Sequence, residues 1–288
     1  METDVGATTG RRVLYLYGVV PRGQPLPAHE AAPLEAVPHA RLVAVVEPVC
    51  AREFSAEELE RKLQCVGWVA PLARRHAAVL EAAMRHGPVV PAGLCTLFTS
   101  ARALTRLLAD NEERFHDQLS WLEGRQEWGL KIFCDEDRLR STLGARDPAV
   151  LALAAAAAAA SPGQAYVLGK KRDGRLAEVV SVRIDEVVDE VLDEVDGEVE
   201  GPLAALAVDM RQRPLLAEAR AGRRAAMVLN CALLVDTTVC PAFHAAAAEL
   251  AARLEAEGFA LELTGPWPAY SFCDLGPSEP GSEEAREP

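Results

Sequence analysis

The chain has 288 residues, of which half are hydrophobic and a quarter are charged, and this composition predicts a folded protein with a sizeable core. Its 30 basic and 43 acidic residues give a formal net charge of −13 at pH 7. That charge argues against a nucleic-acid binder, which needs basic surface to displace counterions, and against a lipid membrane with anionic headgroups as partner.

Two segments carry the whole of this charge. Residues 185–200 contain nine acids and no base, and residues 274–288 contain five acids and one base. The rest of the chain is close to neutral. Any binding role of the acidity is therefore local, and the first segment is the main candidate for it.

The cysteines and the N-terminus predict a cytoplasmic protein. The seven cysteines are odd in number, form no C-x-x-C motif and mostly lie in apolar runs, as buried thiols in a reducing compartment do. The N-terminus carries Glu2 and Asp4 where a signal peptide has positive charge. The longest uncharged apolar stretch, Ala149–Ala160, is shorter than the roughly 20 residues that span a bilayer.

The first half of the chain begins with small and polar residues, 1–10, that we expect to be disordered. The continuous apolar run Val13–Val20 then predicts a buried strand, and Leu42–Val46 predicts a second one. Residues 21–39 hold five prolines and are expected to form a loop between these strands.

Capping residues and apolar spacing predict further helices and strands up to residue 135. In chain order they are a short helix opened by Ser55 and Glu58, a helix around 70–86, a strand Val89–Phe98, a helix capped by Ser100, and a strand Trp128–Cys134. The order predicts a mixed sheet with helices on one side, similar to the ferredoxin-like arrangement, in an N-terminal domain over residues 11–135.

An alanine-rich segment, residues 136–163, separates the two halves of the chain. Polyalanine is a strong helix former, and Pro162-Gly163 is a stop signal. We therefore expect a linker helix here, at a domain boundary.

The second half predicts another module, over residues 164–273. In chain order we expect a strand Ala165–Gly169, an amphipathic helix through the acidic run, strands Ala204–Arg213 and Met227–Val235, a helix from Pro241 to Gly258, and a strand Phe259–Leu263. This β-α-β-β-α-β order is ferredoxin-like. The predicted fold class is α+β, with two ferredoxin-like α/β sandwich domains joined by the helical, alanine-rich linker and followed by a disordered acidic tail, residues 274–288.

No segment has the residue pattern of an active site. The segment Gly163–Lys171 looks faintly like a phosphate-binding loop, but five residues separate its glycines and Lys171 stands where a hydroxyl is needed. His29 and Glu30 lack the second histidine of a zinc motif. We predict no catalytic residue, no cofactor, no metal site and no enzyme activity.

The acidic run allows two interpretations. Val187, Val191 and Val195 fall on one face of the predicted helix, and nearly all the acids fall on the opposite face. That face either keeps the protein soluble or docks a basic partner. The candidate partner-binding acids are Asp189, Glu190, Asp193 and Glu194.

The segment from Leu263 to Phe272 has the most unusual composition. Two prolines bracket Trp267 directly after a strand, which stiffens the backbone. The segment also contains Tyr270 and Phe272. Either the loop packs on its own domain, or the three aromatic residues form a contact patch of the kind that anchors protein interfaces.

This segment resembles the end of the gas vesicle protein F/L family (GvpF/GvpL), whose members carry a closely similar Leu-Thr-Gly-Pro-Trp-Pro-Pro-Tyr-Ser-Phe. Other stretches within residues 12–273 resemble the family in the same order: Tyr15–Val20, Gly87–Phe98, Glu127–Lys131, Pro162–Arg172 and Met227–Asp236. The residues taken as family-motif positions are Tyr15, Gly18, Pro91, Trp128, Lys131, Asn230, Gly265, Pro266 and Pro268.

The resemblance implies a non-enzymatic accessory or minor structural protein of the gas vesicle. Such a protein would bind the small hydrophobic shell protein (GvpA-like), assist nucleation and assembly, and meet other gas vesicle accessory proteins, at the vesicle or in the cytoplasm. Two departures stand out. The central strand has Gly93-Leu-Cys-Thr96 where the family usually has Arg-Phe-Gly-Thr, so no role of that arginine is carried over, and Ala269 replaces a proline.

One alternative from a different class stays open. Tandem ferredoxin-like modules often bind ligands between them, so the chain could be a small-molecule-binding regulatory protein.

Overall fold

The structure is a computed structural model that describes residues 11–27, 33–195, 202–215 and 225–276. The predicted disordered N-terminus, residues 1–10, lies outside these ranges, as do residues 277–288 of the predicted tail. The chain divides into two compact units, of which unit 2 is the segment Glu127–Pro266 and unit 1 holds the described residues before and after it. Each unit combines a sheet with helices, which confirms the predicted α+β class.

The sheet of unit 1 contains β1 (Arg12–Pro21), β2 (Glu35–His39), β3 (Leu42–Cys50), β4 (Val90–Pro91) and β5 (Leu97–Phe98). Its order is β2-β3-β1-β4, with β5 also paired to β1, and these pairs are antiparallel. The helices of unit 1 are α1 (Ala56–Leu63), α2 (Val66–Met84), α3 (Ala101–Asp110) and α4 (Glu112–Leu122).

Helices cover both faces of this sheet. Tyr15 and Tyr17 of β1 pack in one cluster with side chains of α2, whereas Leu16 and Val19 pack in another with side chains of α3 and α4. The expectation of helices on one side only is therefore wrong. A continuous apolar run such as Val13–Val20 needs cover on both faces because neighbouring side chains of a strand point to opposite sides.

Three local predictions in unit 1 need correction. The expected loop 21–39 includes β2, an edge strand, and an edge tolerates Pro38. The expected strand Val89–Phe98 is split into β4 and β5 by a turn in which Cys95 has a φ of 63°. The expected single helix after Ser100 is broken at Asn111 into α3 and α4.

Unit 2 is ferredoxin-like. Its elements are β6 (Arg125–Cys134), α5 (Glu136–Gly144), α6 (Pro148–Ala158), α7 (Pro162–Val195), β7 (Ala207–Gln212), β8 (Ala226–Asp236), α8 (Cys240–Glu257) and β9 (Phe259–Trp267). The sheet order is β7-β8-β6-β9, so the first strand of the unit lies between the third and the fourth. Helices connect its first strand to the second and its third to the fourth, as in a β-α-β-β-α-β module.

Two elements of unit 2 differ from the sequence-based expectation. The strand β6 was expected in the first sheet and lies in the second, so the predicted domain limits 11–135 and 164–273 do not coincide with the two units. The expected strand Ala165–Gly169 is helical and belongs to α7, which runs for 34 residues. The predicted linker, residues 136–163, consists mainly of α5 and α6, which both contact α7.

Helix ends predicted from capping residues are confirmed. The hydroxyl of Ser55 accepts a hydrogen bond from the Glu58 N–H at 3.4 Å, and that of Ser100 accepts one from the Ala103 N–H at 3.2 Å. Helix α8 ends at Gly258, which has a left-handed φ of 99°. Four side chains on one face of α8, Phe243, Ala247, Leu250 and Leu254, are buried.

Gly18 stands where the backbones of β1 and β4 approach most closely. A Cβ at this position would lie 2.7 Å from the carbonyl oxygen of Val90 and 3.0 Å from a methyl of Val89. Only glycine fits there without a shift of the neighbouring strand. This close approach gives a physical reason for glycine at the motif position that the sequence singled out.

We predict that Gly18→Ala lowers the free energy of unfolding by about 1–3 kcal/mol, because the added methyl overpacks the β1–β4 contact. The matched control is Gly169→Ala in α7, where nothing lies within 4 Å of the new Cβ. That change should raise stability by about 0.5–1 kcal/mol through helix propensity. Urea unfolding curves measure both, and a Gly18→Ala protein as stable as the unchanged chain would contradict the prediction.

Candidate functional site

The aromatic segment forms the end of β9, which includes Trp267, and the tight turn that follows it. The N–H of Tyr270 donates to the carbonyl of Pro268 at 2.7 Å, and the N–H of Phe272 donates to that of Ala269 at 3.1 Å. Pro268 and Ala269 are buried, whereas Trp267 is 40% exposed and Tyr270 is 44% exposed. The turn therefore presents two aromatic side chains on the surface of unit 1, each next to a buried residue.

The residues after this turn are bound to unit 1. Cys273 and Leu275 pack against the cluster formed by β1, α3 and α4. Arg114 of α4 forms an ion pair with Asp274 at 2.7 Å and also donates to the carbonyl of Leu275 at 2.5 Å. Residues 274–276, the first of the predicted disordered tail, are thus ordered. They fix the backbone that follows the aromatic turn.

Part of the aromatic segment packs on its own unit, and the contact patch stays a prediction. Pro268 and Ala269 pack into their own unit, and Phe272 is half-buried. Trp267 and Tyr270 keep a large exposed fraction and remain the candidate contact residues.

The glycine of the terminal motif is explained by a close contact inside unit 2. Gly265 has a φ of 141°, and a Cβ there would lie 3.0 Å from the carbonyl oxygen of Glu127 and 3.1 Å from the ring of Trp128. The Trp128 ring in turn meets His244 edge-on, with 4.5 Å between ring centroids. Two family-motif positions that were expected in separate domains, Trp128 and Gly265, therefore contact each other.

Asn230 fixes the backbone where β7 ends. Its side-chain amide donates to the carbonyl of Pro214 at 2.9 Å, and its main-chain carbonyl accepts from Arg213 at 2.8 Å. Arg213 also pairs with Glu127, whose side chain is almost fully buried. The motif position Lys131, on β6, is half-buried. The placement of Trp128 and Asn230 indicates a structural role in unit 2.

Tyr15, another motif position, belongs to a buried hydrogen-bonded group. Its hydroxyl lies 2.8 Å from His76 Nδ1, and His76 Nε2 lies 3.1 Å from the carbonyl oxygen of Ala92. A carbonyl only accepts, so Nε2 carries the proton and Nδ1 accepts from the tyrosine. The hydroxyl of Tyr15 also accepts from the Cys95 N–H at 3.2 Å.

A second buried tyrosine on β1 is paired with an acid. Tyr17 donates to Glu47 at 2.6 Å, and Arg75 donates to the other oxygen of Glu47 at 3.3 Å. Burial raises the pKa of both Tyr15 and Tyr17, so both stay protonated. The sequence analysis missed His76 and Glu47, because a single histidine or acid in an apolar pattern carries no local signal of its partner.

The acidic face of α7 is partly neutralised within unit 2. Arg183 binds Glu190 at 3.0 Å, and Arg253 pairs with Glu194. Asp189 and Asp193 are exposed, and within the described residues neither makes an ion pair. Of the four candidate acids, these two are therefore the ones available to an outside cation.

The sequence analysis also missed an apolar surface at the end of the α6–α7 hairpin. Tyr166 is 68% exposed, Val167 is 52% exposed and Leu151 is 48% exposed. A groove of about 500 Å³ lies at the start of α7, lined by Ala160, Gly163, Gln164, Val167 and Leu168. The signal was the uncharged stretch Ala149–Ala160, because a surface helix normally has one polar face. None of the described helices is long and apolar enough to cross a membrane.

An open pocket of about 420 Å³ lies beside α2 in unit 1. Trp68 and Phe54 form its aromatic wall, with 5.9 Å between ring centroids, and Arg75 and Glu53 supply charge. This volume lies in the range of small-molecule sites.

Comparisons with known proteins assign the family. The family model described as gas vesicle synthesis protein GvpL/GvpF matches residues 13–274. The chain belongs to the GvpL/GvpF family. Gas vesicle protein L of Streptomyces sp. (strain CB03234) is 30% identical over 273 residues, which cover 92% of this chain and 94% of that protein. Gas vesicle protein L2 of Halobacterium salinarum is 27% identical over 196 residues, 67% of each chain.

Two solved structures of the GvpL/GvpF family share the fold. The crystal structure of GvpF from Anabaena sp. PCC7120 superposes with a TM-score of 0.60 at 16% identity, covering 91% of this chain and 96% of that one. GvpF from Microcystis aeruginosa gives 0.59 at 17% identity, covering 90% and 98%. The predicted family resemblance is thus confirmed, and the chain has a gas vesicle role.

We predict that mild acid destabilises unit 1 through His76. Burial lowers the pKa of His76 to about 4, whereas the imidazole of an unfolded chain has a pKa of about 6.5. The unfolded state binds more protons between these values, so this contribution to stability is lost as the pH falls from about 6.5 towards 4. Between about pH 7 and about pH 5 the expected loss is about 2 kcal/mol.

The variant His76→Gln tests this assignment, because an amide can keep both hydrogen bonds but does not titrate. Its urea unfolding midpoint should fall less between the two pH values than that of the unchanged chain. His86→Gln, an exposed position just after α2, is the matched control. An equal pH dependence in the His76→Gln protein and the unchanged chain would show that another group is responsible.

Proposed function

We propose that this chain is a gas vesicle accessory or minor structural protein that binds the hydrophobic shell protein (GvpA-like) and assists nucleation and assembly, without enzymatic activity. Its location would be the gas vesicle and the cytoplasm, and other gas vesicle accessory proteins are further partners. The observation that carries the proposal is the aromatic pair Trp267 and Tyr270, exposed on an anchored turn within the family's terminal motif.

The physical argument starts from the shell protein. An unassembled hydrophobic subunit exposes apolar surface and strand edges, which promote aggregation. Tryptophan and tyrosine are the residues that most often dominate the energy of protein contacts, because they bury large apolar area and lose little side-chain entropy. Trp267 and Tyr270 are held by buried neighbours, so binding would order few additional groups.

We predict that Trp267→Ala and Tyr270→Ala each weaken binding of purified shell protein about tenfold or more, as truncation of an interface hot spot does. The measurement is biolayer interferometry against a soluble fusion of the shell protein, with a gas vesicle complementation assay as the second readout. Each side chain is more than half buried, so the unfolding midpoint of each variant is measured as well and binding is compared only between folded proteins.

The matched control is Trp121→Ala. Trp121 on α4 is 42% exposed, close to the value for Trp267, and Arg125 stacks on its ring at 3.9 Å. It should bind shell protein normally. Unchanged binding by both turn variants would remove the aromatic turn from the proposal, and an equal loss in the control would indicate a nonspecific effect of losing surface tryptophan.

We predict a smaller, salt-dependent effect from the acidic face. The double variant Asp189→Lys/Asp193→Lys reverses the two acids that have no described ion pair, and it should weaken shell-protein binding severalfold at low salt if this face docks a basic partner. Glu60→Lys/Glu81→Lys makes the same charge change at exposed positions of unit 1 and is the control. Full binding by the α7 variant would leave solubility as the role of these acids.

The regulatory alternative has one observation in its favour, the pocket beside Trp68 in unit 1. A ligand-induced rise in melting temperature without shell-protein binding would favour it.

A further inference from the structure

Helix α7 exposes a continuous ridge along almost its whole length. Its 34 residues correspond to about 51 Å of helix. Exposed positions recur every three or four residues, so they form one stripe instead of scattered points. Residues on this stripe are Val167, Lys171, Gly174, Glu178, Val182 and Asp185.

The charges on this ridge are arranged in order along the helix. Lys170 and Lys171 are exposed near its start, and Asp185 and Glu186 are exposed further on, about 22 Å away. The exposed acids between them are already neutralised, since Asp173 pairs with Arg172 at 2.7 Å and Glu178 pairs with Arg175 at 3.0 Å. Glu186 is also bound, to Arg183 at 3.0 Å, so Asp185 is the acid available to a partner at this end. The ridge is therefore basic, then neutral, then acidic.

Such an order is complementary to itself. If a second copy of the ridge is laid antiparallel on the first, with the two-fold axis at Glu178, Lys171 lies opposite Asp185 of the second copy. The symmetry repeats this pair at the other end of the contact, so two opposite-charge pairs form from one arrangement. In a parallel pair, by contrast, like charges would meet at both ends.

The middle of the ridge suits close helix packing. Gly174 and Ser181 flank the axis and have small side chains, which let two helices approach. Val182 is 50% exposed and would be covered by the partner helix. The Glu178 side chains that meet at the axis are each held by their own Arg175, so the contact does not create an uncompensated like-charge pair.

We propose that α7 is a dimerisation face, on which a second copy of this chain binds antiparallel about Glu178. Asp185 and Asp189 make no ion pair within the described residues and stand in a like-charge row, which the partner's lysines relieve. The contact is one helix wide, at the small end of specific interfaces. Dimerisation is therefore weak and falls with rising salt. This inference stands whether or not the chain binds the shell protein.

The test uses two charge-reversed full-length variants, Lys170→Glu/Lys171→Glu and Asp185→Lys/Glu186→Lys. Sedimentation velocity at about 100 µM protein and low salt should show the unchanged chain in monomer–dimer exchange, and each variant at least tenfold weaker in self-association. The decisive sample is the equimolar mixture of the two variants. Reversal makes their ridges complementary again at both ends, so a heterodimer should form at the affinity of the unchanged chain.

Controls separate this result from misfolding and from a general charge effect. Circular dichroism and melting temperature should match the unchanged chain for both variants, since Arg183 keeps Glu190 and Glu257 when Glu186 is replaced. Glu60→Lys/Glu81→Lys should dimerise normally. A monomeric unchanged chain, dimers in both variants, or no association in the mixture would each overturn the proposal.

Discussion

Both faces of strand β1 are buried, and this constrains the rest of unit 1. With helices on both faces, every polar atom on this strand needs a partner inside the protein, and the hydroxyls of Tyr15 and Tyr17 find theirs in His76 and Glu47. The same packing leaves no room for a side chain at Gly18. Family-motif positions on β1 are thus explained by packing, which directs the search for function to other positions.

The C-terminal residues show how packing can prepare a contact surface. Asp274 and Leu275 bind α4 and its neighbours, and buried Pro268 and Ala269 anchor the turn before them. Because both sides of Trp267 and Tyr270 are fixed, the exposure of the two rings follows from the fold and not from a frayed terminus. A surface aromatic pair held in this way loses little conformational entropy on binding, which favours a role in recognition.

Elements with strong local signals were predictable from the sequence, and elements defined by distant partners were not. Val13–Val20 is a continuous apolar run, which is enough to predict β1. Helix α8 has an apolar face and ends at the cap residue Gly258, so the sequence also predicts α8. The strand at Trp128–Cys134 was also found, but its sheet depends on pairing with β8 and β9, far along the chain. Ala165–Gly169 looks like a strand over five residues and is helical because α7 continues through it. Of the candidate site, the sequence indicates the aromatic segment, whereas the ion pairs on α7 can be identified only from the structure.

The acidic run, as far as Val195, is part of a longer helix, α7, and not a separate segment. The six acids between Asp185 and Glu194 share one helix with Lys170 and Lys171, so this helix has a basic start and an acidic end. A second copy on the ridge would cover Asp185 and approach Asp189, leaving fewer acids for any other cationic partner. Self-association and acidic docking therefore compete for one surface. The aromatic turn belongs to unit 1 and is not part of this helix.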